Sequence, residues 1–315
     1  MNGLEIAKAY YEACGRPILE REFPQLLDRI AVGLTGSGSE CFGFDDSVSR
    51  DHDFEPGFCI FLPGEDEVDR RTAFLLERAY AKLPREFMGL RRSLMQPVGG
   101  ARKGVLRRDE FFTEKVGSPD GILTVRQWLT IPDSALAEAV NGELFFDGSG
   151  EMTAIRSRLS RWPEDIRRKK LAGCLLMMAQ AGQYNYSRCL LHGETGAAQL
   201  AVGVFVRNAM QAVFLLNGAF QPYYKWAFRA MRSLPRLSLD AELLEYLLVT
   251  DNGPDMAEEK QRVIEGIAGD VIGELRRQSL TQATCGDLEK HAYSVQDGIA
   301  DGEIRGLHIL AAALD

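Results

Sequence analysis

The stretch GLTGSGSECFGFDDSVSRDHDF (Gly33 to Phe54) decides how this chain is read. Ile30, Val32 and Leu34 alternate with other residues, which predicts a strand ending in the turn Gly36-Ser37-Gly38-Ser39. Glycines let backbone amides approach an anion closely, and serine hydroxyls add donors. A helix expected to begin at Ser39 or Glu40 would point its positive end at the same anion. About eleven residues later come Asp51 and Asp53. Residues two apart on a strand face the same way, so both carboxylates are expected on one face, with His52 opposite. Two such charges repel, and a divalent cation between them relieves the repulsion. Ligation by oxygen alone suits Mg²⁺ or Mn²⁺ rather than zinc. Asp45, Asp46 and Glu55 are read as loop carboxylates flanking the metal strand.

Outside this stretch the composition is that of an ordinary folded protein. A length of 315 residues favours about two domains. With 45% apolar and 26% charged residues, disordered, collagen-like and disulfide-framework classes drop out. The net charge of −8 argues against a surface built as a whole to grip nucleic acid. Two runs are nevertheless cationic, GLRRSLMQPVGGARKGVLRR (Gly89 to Arg108) and RSRLSRWPEDIRRKK (Arg156 to Lys170). They are read as solvated faces of helices and hairpins, with steering of anionic ligands as the alternative. The six cysteines are spaced singly, away from zinc-ligand patterns, and are read as reduced thiols. No signal-peptide pattern is present at the N-terminus and no apolar run approaches the roughly 18 residues of a membrane span, so a cytoplasmic protein without membrane attachment is expected.

The order of elements predicts an α+β fold: a small mixed-sheet domain over residues 1–155, then an all-α helical bundle over 156–315. LEIAKAYYEACG has helical spacing, with Gly15 and Pro17 as its stop. FCIFLP (Phe58 to Pro63) reads as a buried strand, and Val68 to Pro84 as a helix with the stripe Phe74, Leu75, Ala79 and Leu83. Extended segments are expected near Arg92 to Gln96, Gly104 to Arg108 and Gly142 to Glu151. Beyond Trp162 the periodicity is helical throughout, and GAAQLAVGVFVRNAMQAVFLLNG reads as the buried central helix of a bundle.

An apolar-Gly-Ser strand end, a spacer and then Asp-x-Asp resembles the signature of the polymerase-beta-like nucleotidyltransferase superfamily, matched in order by Gly38, Ser39, Gly43, Asp51 and Asp53. With RWPEDIRRKK, AQAGQYNYSR and FLLNGAFQPYYKW, the chain looks like a bacterial branch of that superfamily. Its helical domain is similar to those of kanamycin-type and streptomycin-type antibiotic nucleotidyltransferases. The resemblance implies transfer of a nucleoside monophosphate from a nucleoside triphosphate, with ATP the expected one, to a hydroxyl of a small molecule, a protein or an RNA end. It implies that Ser37, Gly38, Ser39 and Ser49 serve the nucleotide, and that Asp51 and Asp53 are catalytic and ligate Mg²⁺ or Mn²⁺. A third carboxylate is common in the family, and Asp109, Glu110, Glu143 and Asp147 are the candidates here.

The helical half offers further candidates for the nucleotide. Lys225 and Arg188 could neutralise phosphate charge. Tyr184, Tyr223 and Trp226 could stack on a base or pack the core. His192, His291 and His308 have no partners at useful spacing and are read as structural or exposed. No Ser-His-Asp or Cys-His arrangement is supported. The acidic net charge leans toward a small acceptor. The competing reading is a catalytically degenerate, antitoxin-like module that binds a nucleotide or a protein partner and transfers nothing.

Overall fold

In a computed structural model the described residues are 1–46, 55–92 and 103–312. They divide into two compact units, residues 1–123 with 131–160, and residues 124–130 with 161–315. The fold class is α+β, a small mixed sheet with helices in the first unit and helices in the second.

The first unit opens with α1 (Gly3–Tyr10), capped by Asn2, whose side chain accepts from the Glu5 amide while Glu5 returns a bond to the Asn2 amide. The expected stop at Gly15 and Pro17 does not occur. A π-helical turn, Tyr11–Gly15, carries the chain straight into α2 (Arg16–Glu22), and Pro17 falls in that helix's first turn. Gly15 is needed there because a Cβ would come within 2.3 Å of the Phe58 ring. Tyr10, Tyr11 and Tyr80 gather round Phe58 with ring centroids 5.1 to 5.8 Å apart. Such aromatic pairs add about 0.5–1.5 kcal/mol each beyond their burial.

Strands β1 (Ala31–Leu34) and β2 (Cys59–Leu62) are buried along their whole length. Helix α3 (Arg70–Ala81) starts at Asp69, which caps the Thr72 amide. Its buried face is Ala73, Leu76, Ala79 and Tyr80, whereas Phe74 and Leu75, expected in the stripe, are exposed. The two apolar faces differ by about one residue's rotation, and the small Ala73 and Ala79 let the helix lie close on the sheet. A hairpin of β3 (Glu86–Phe87) and β4 (Leu90–Arg91) follows. The extended segment expected at Arg92 to Gln96 lies almost wholly outside the described residues. The chain returns as β5 (Gly104–Arg107) and runs directly into α4 (Arg108–Val116). After α5 (Val125–Thr130), which belongs to the second unit, come α6 (Asp133–Val140), β6 (Glu143–Asp147) and α7 (Glu151–Leu159). The sheet order is β5-β2-β1-β6, parallel only between β2 and β5, with α3 and the hairpin in the crossover.

Gly33 sits at an irregularity in the β1–β6 pairing, where a Cβ would meet the Glu143 carbonyl oxygen at 2.5 Å. This close approach brings the turn ahead of β6 against the end of β1.

The second unit is built on α8 (Glu164–Met178), α9 (Tyr186–Leu191), α10 (Thr195–Leu216), α11 (Tyr224–Met231), α12 (Asp240–Val249), α13 (Pro254–Arg277), α14 (Leu288–Asp297) and α15 (Gly302–Gly306). Helix α10 is the central element, packed by α8, α9, α11, α12 and α13. With 22 residues and an 18-residue window of mean hydropathy 1.4, it is long and apolar enough to cross a membrane by length and composition. Two thirds of that window, 67%, is buried inside the protein, so the core explains the composition.

The cationic run Arg156 to Lys170 is a solvated face only in part: Arg158 and Arg161 are exposed, whereas Lys169 and Lys170 are buried. Lys169 is fully buried and donates to Gln296 Oε1 at 2.9 Å and to the Leu307 carbonyl at 2.5 Å. Lys170 is also buried, its ammonium 4.9 Å from the Trp162 ring centroid. Arg167 and Arg168 pair with Glu164 one turn earlier. Burial lowers the Lys169 pKa, as expected for a charge held by neutral acceptors.

Candidate functional site

The C-terminal end of β1 opens onto a cavity of about 320 Å³ in the first unit. Its rim is Thr35, Gly36, Ser37 and Gly38, and Gly36 has φ 118°, a backbone conformation that favours glycine. The helix expected after the turn is a single four-residue 3₁₀ turn, Ser39–Phe42, that ends at Gly43 with φ 68°. So short a turn sums too few peptide dipoles to act as an anion site. The loop's own backbone and hydroxyls are the remaining donors.

Asn141 fixes this loop. Its Oδ1 accepts from the Gly36 amide at 2.9 Å and from Thr35 Oγ1 at 3.0 Å, while its Nδ2 donates to the Gly36 carbonyl at 2.7 Å. Thr35 Oγ1 also lies 3.2 Å from the Glu138 carbonyl. Gly142, with φ 67°, completes the turn into β6, where a Cβ would collide with the Leu34 carbonyl oxygen at 1.9 Å.

The cavity is also lined by Lys103 and Arg107 around β5 and by Glu110, Glu114 and Lys115 on α4. Glu77 of α3 completes the wall. Residues 110, 111, 114 and 115 fall on one helical face, so a single helix presents both signs of charge. Lys115 is paired with Glu138 at 2.8 Å. Arg107 donates to the Pro63 carbonyl at 2.7 Å. Lys103 donates to the Glu55 carbonyl at 3.0 Å and stands 3.5 Å from Glu40 Oε1. Glu40 is itself buried against Gly38, where a Cβ would meet its carboxylate at 2.5 Å.

The sequence candidates distribute unevenly. Ser37 and Gly38 line the cavity, and Ser39 begins the 3₁₀ turn beside it. Asp51, Asp53 and Ser49 lie outside the described residues. Among the four candidates for a third carboxylate, Glu110 lines the cavity. Glu143 is paired with Lys8 at 2.5 Å, and Asp147 accepts from the Gly150 and Thr153 amides and from Thr153 Oγ1. Asp109 lines a different hollow, with Arg108, Glu151 and Arg158, and its Oδ1 is buried without a hydrogen bond among the described residues. Asp45 accepts from the Gly3 amide at 2.9 Å and ties the loop to the start of α1.

Tyr184, Arg188 and Lys225 belong to the second unit. The Arg188 guanidinium lies 4.9 Å from the Tyr184 ring centroid, and the Lys225 ammonium 4.9 Å from that of Trp226. Tyr184 is exposed and lines a hollow with Gln183, Glu265 and Asp287, while Tyr223 and Tyr224 touch on the surface with ring centroids 4.3 Å apart and planes tilted by 43°. His291 is fully buried between Thr281 Oγ1 and the Cys285 carbonyl, each at 2.9 Å, which is a structural role.

Lys103, Arg107, Glu77, Glu114 and Asn141 line or brace the cavity without a sequence motif that marks them as site residues. The Asn-Gly pair ahead of β6 was a readable turn signal. Lys103 and Arg107 were visible only as members of a cationic run. The two thiols nearby offer no nucleophile: burial pushes Cys59 up to about 12 and Cys41 higher still.

A family described as "Domain of unknown function (DUF4037)" matches residues 128–227. No curated protein matches the chain. Among solved structures, the chain is similar to a nucleotidyltransferase-like protein from Exiguobacterium sibiricum 255-15, at 12% identity and a TM-score of 0.38, over 91% of this chain and 81% of that one.

Proposed function

We propose that the chain is a metal-dependent nucleotidyltransferase that moves a nucleoside monophosphate from an NTP, ATP in the first instance, to an acceptor hydroxyl. The carrying observation is the Gly36-Ser37-Gly38 loop, held by Asn141 and lining one cavity with Lys103 and Arg107. A glycine loop supplies amides without steric cost, and the two cations oppose phosphate charge. In this reading the acceptor oxygen attacks the α-phosphorus, the α–β bridging bond breaks, and pyrophosphate leaves with the bonding electrons. Glu110, which makes no ion pair or hydrogen bond among the described residues, takes the acceptor's proton.

The acidic groups lining the described cavity are carboxylates, hard oxygen donors that fit Mg²⁺ or Mn²⁺. Asp51 and Asp53 would hold the ion, with Glu110 as the third oxygen donor. When bound, it would neutralise charge developing on the phosphate oxygens. Tyr184, Arg188 and Lys225 are proposed as anion- and ring-binding side chains of the second unit by itself, and a small molecule is the proposed acceptor class.

One observation favours the degenerate module instead. The buried carboxylate of Glu40 lies against Gly38, next to where an anion would sit. Incubation with labelled NTP, Mg²⁺ and cell extract separates the two. A labelled product supports transfer, while saturable Mg²⁺–ATP binding with no labelled product supports the module.

A further inference from the structure

We infer that Asn141 is a positioning residue for the phosphate loop and that Arg156 of α7 is its anchor. The inference rests on the nucleotidyltransferase reading and adds two residues to it. Asn141 engages both backbone groups of Gly36, as a neighbouring strand would, but it does so through a side chain beyond the last paired residue of β1, Leu34. A side chain can hold a loop open at a strand end, where a further backbone pair would flatten it into the sheet.

Asn141 needs a fixed backbone of its own, and Arg156 supplies it. The Arg156 Nη2 atom donates to the Val140 carbonyl at 2.7 Å, to the Asn141 carbonyl at 2.5 Å and lies 3.4 Å from the Gly142 carbonyl. The first two of those carbonyls belong to the last residue and the C-cap of α6, where helix C-terminal acceptors lack intrahelical partners. Gly142 then approaches the Leu34 carbonyl so closely that a Cβ there would meet its oxygen at 1.9 Å. Guanidinium, turn backbone, amide side chain and Gly36 thus form one connected series from α7 to the loop. Arg158, two residues along the same helix, provides an internal comparison. It too donates to a carbonyl, that of Asp120 at 2.7 Å, but it does not touch this turn.

The test is titration calorimetry of Mg²⁺–ATP into the full chain and its variants at a temperature where each is folded. Asn141→Ala and Arg156→Gln are expected to weaken binding about tenfold each, the worth of one or two hydrogen bonds. The double variant should lose no more than about the larger single effect, because both act through one series. Arg158→Gln should bind as the wild type does, although it too loses a bond to a backbone carbonyl, at an exposed site. Wild-type affinity in folded Asn141→Ala, or equal losses in Arg156→Gln and Arg158→Gln, would overturn the inference. Should Asn141→Ala not fold, the arginine pair decides alone. If the wild type does not bind Mg²⁺–ATP, the functional reading fails by itself. Hydrogen exchange at the Gly36 amide then decides the positioning claim: protection lost in Arg156→Gln but kept in Arg158→Gln supports it, and unchanged protection in both refutes it.

Discussion

The Lys103 ammonium stands 3.5 Å from Glu40 Oε1 at the floor of the cavity, with only 13% and 11% of the two side chains open to solvent. Removing one partner of so enclosed a pair strands the other charge. Lys103→Met is therefore expected to destabilise the fold by about 3–5 kcal/mol, and the double variant with Glu40→Gln to recover most of that loss. Urea unfolding of the three proteins checks this. In the functional reading, Mg²⁺–ATP affinity should stay low in the double variant even though stability returns.

Asp240 carries a pH signature in the second unit. Burial first, and then the neighbouring Asp270 carboxylate with its hydrogen bond, raise its pKa from 3.8 to about 7. A folded state that binds the proton more tightly than the unfolded chain is favoured at low pH. The contribution is fully present below about 3.8 and is lost as pH rises through about 7. Asp240→Asn should melt higher than wild type at pH 8 and flatten the slope of Tm between pH 4 and pH 7. Parallel slopes for the two proteins would contradict this assignment.

Gly142 tests the junction of β1 and β6. Its φ of 67° and the 1.9 Å approach of a Cβ to the Leu34 carbonyl oxygen leave no room for alanine. Gly142→Ala should cost about 2 kcal/mol or more in a denaturant titration. Gly150→Ala, at a similar φ of 73° with nothing within 4 Å of its Cβ, should cost less.

Thiol reactivity separates the cysteines. Cys285 is exposed, while Cys41 and Cys59 are buried with raised pKa values. At pH 8 a disulfide reagent should modify Cys285 rapidly in native protein and reach Cys41 and Cys59 only on unfolding. Fast modification of either buried thiol in native protein, located by mass spectrometry, would contradict its burial.

Much of the frame is legible in short-range pattern. Ile30 to Leu34 reads as a strand running into a glycine turn, FCIFLP as its buried partner, and the small apolar run after Thr195 as a central helix. The errors came where tertiary packing selects between local options. Phe74 and Leu75 form as good a stripe as Ala73 and Leu76, and only the sheet beneath α3 chooses. Gly15 and Pro17 make a stop signal in isolation, yet the Phe58 ring uses that glycine for close packing. Lys169 and Lys170 look solvated because a sequence does not display the carbonyl and amide acceptors that receive one and the indole face that packs on the other. At the site, Asn141 meets Gly36 across 105 residues, a juxtaposition that periodicity does not contain.

The central claim is a nucleotide held between the Gly36-Ser37-Gly38 loop and a cation bound by Asp51 and Asp53. Its most direct test is Mg²⁺–ATP titration calorimetry on the wild type and on the folded double variant Asp51→Ala, Asp53→Ala. The account predicts saturable, metal-dependent binding in the first and its loss in the second. Equal affinity in the two proteins, or no binding by either, would contradict it.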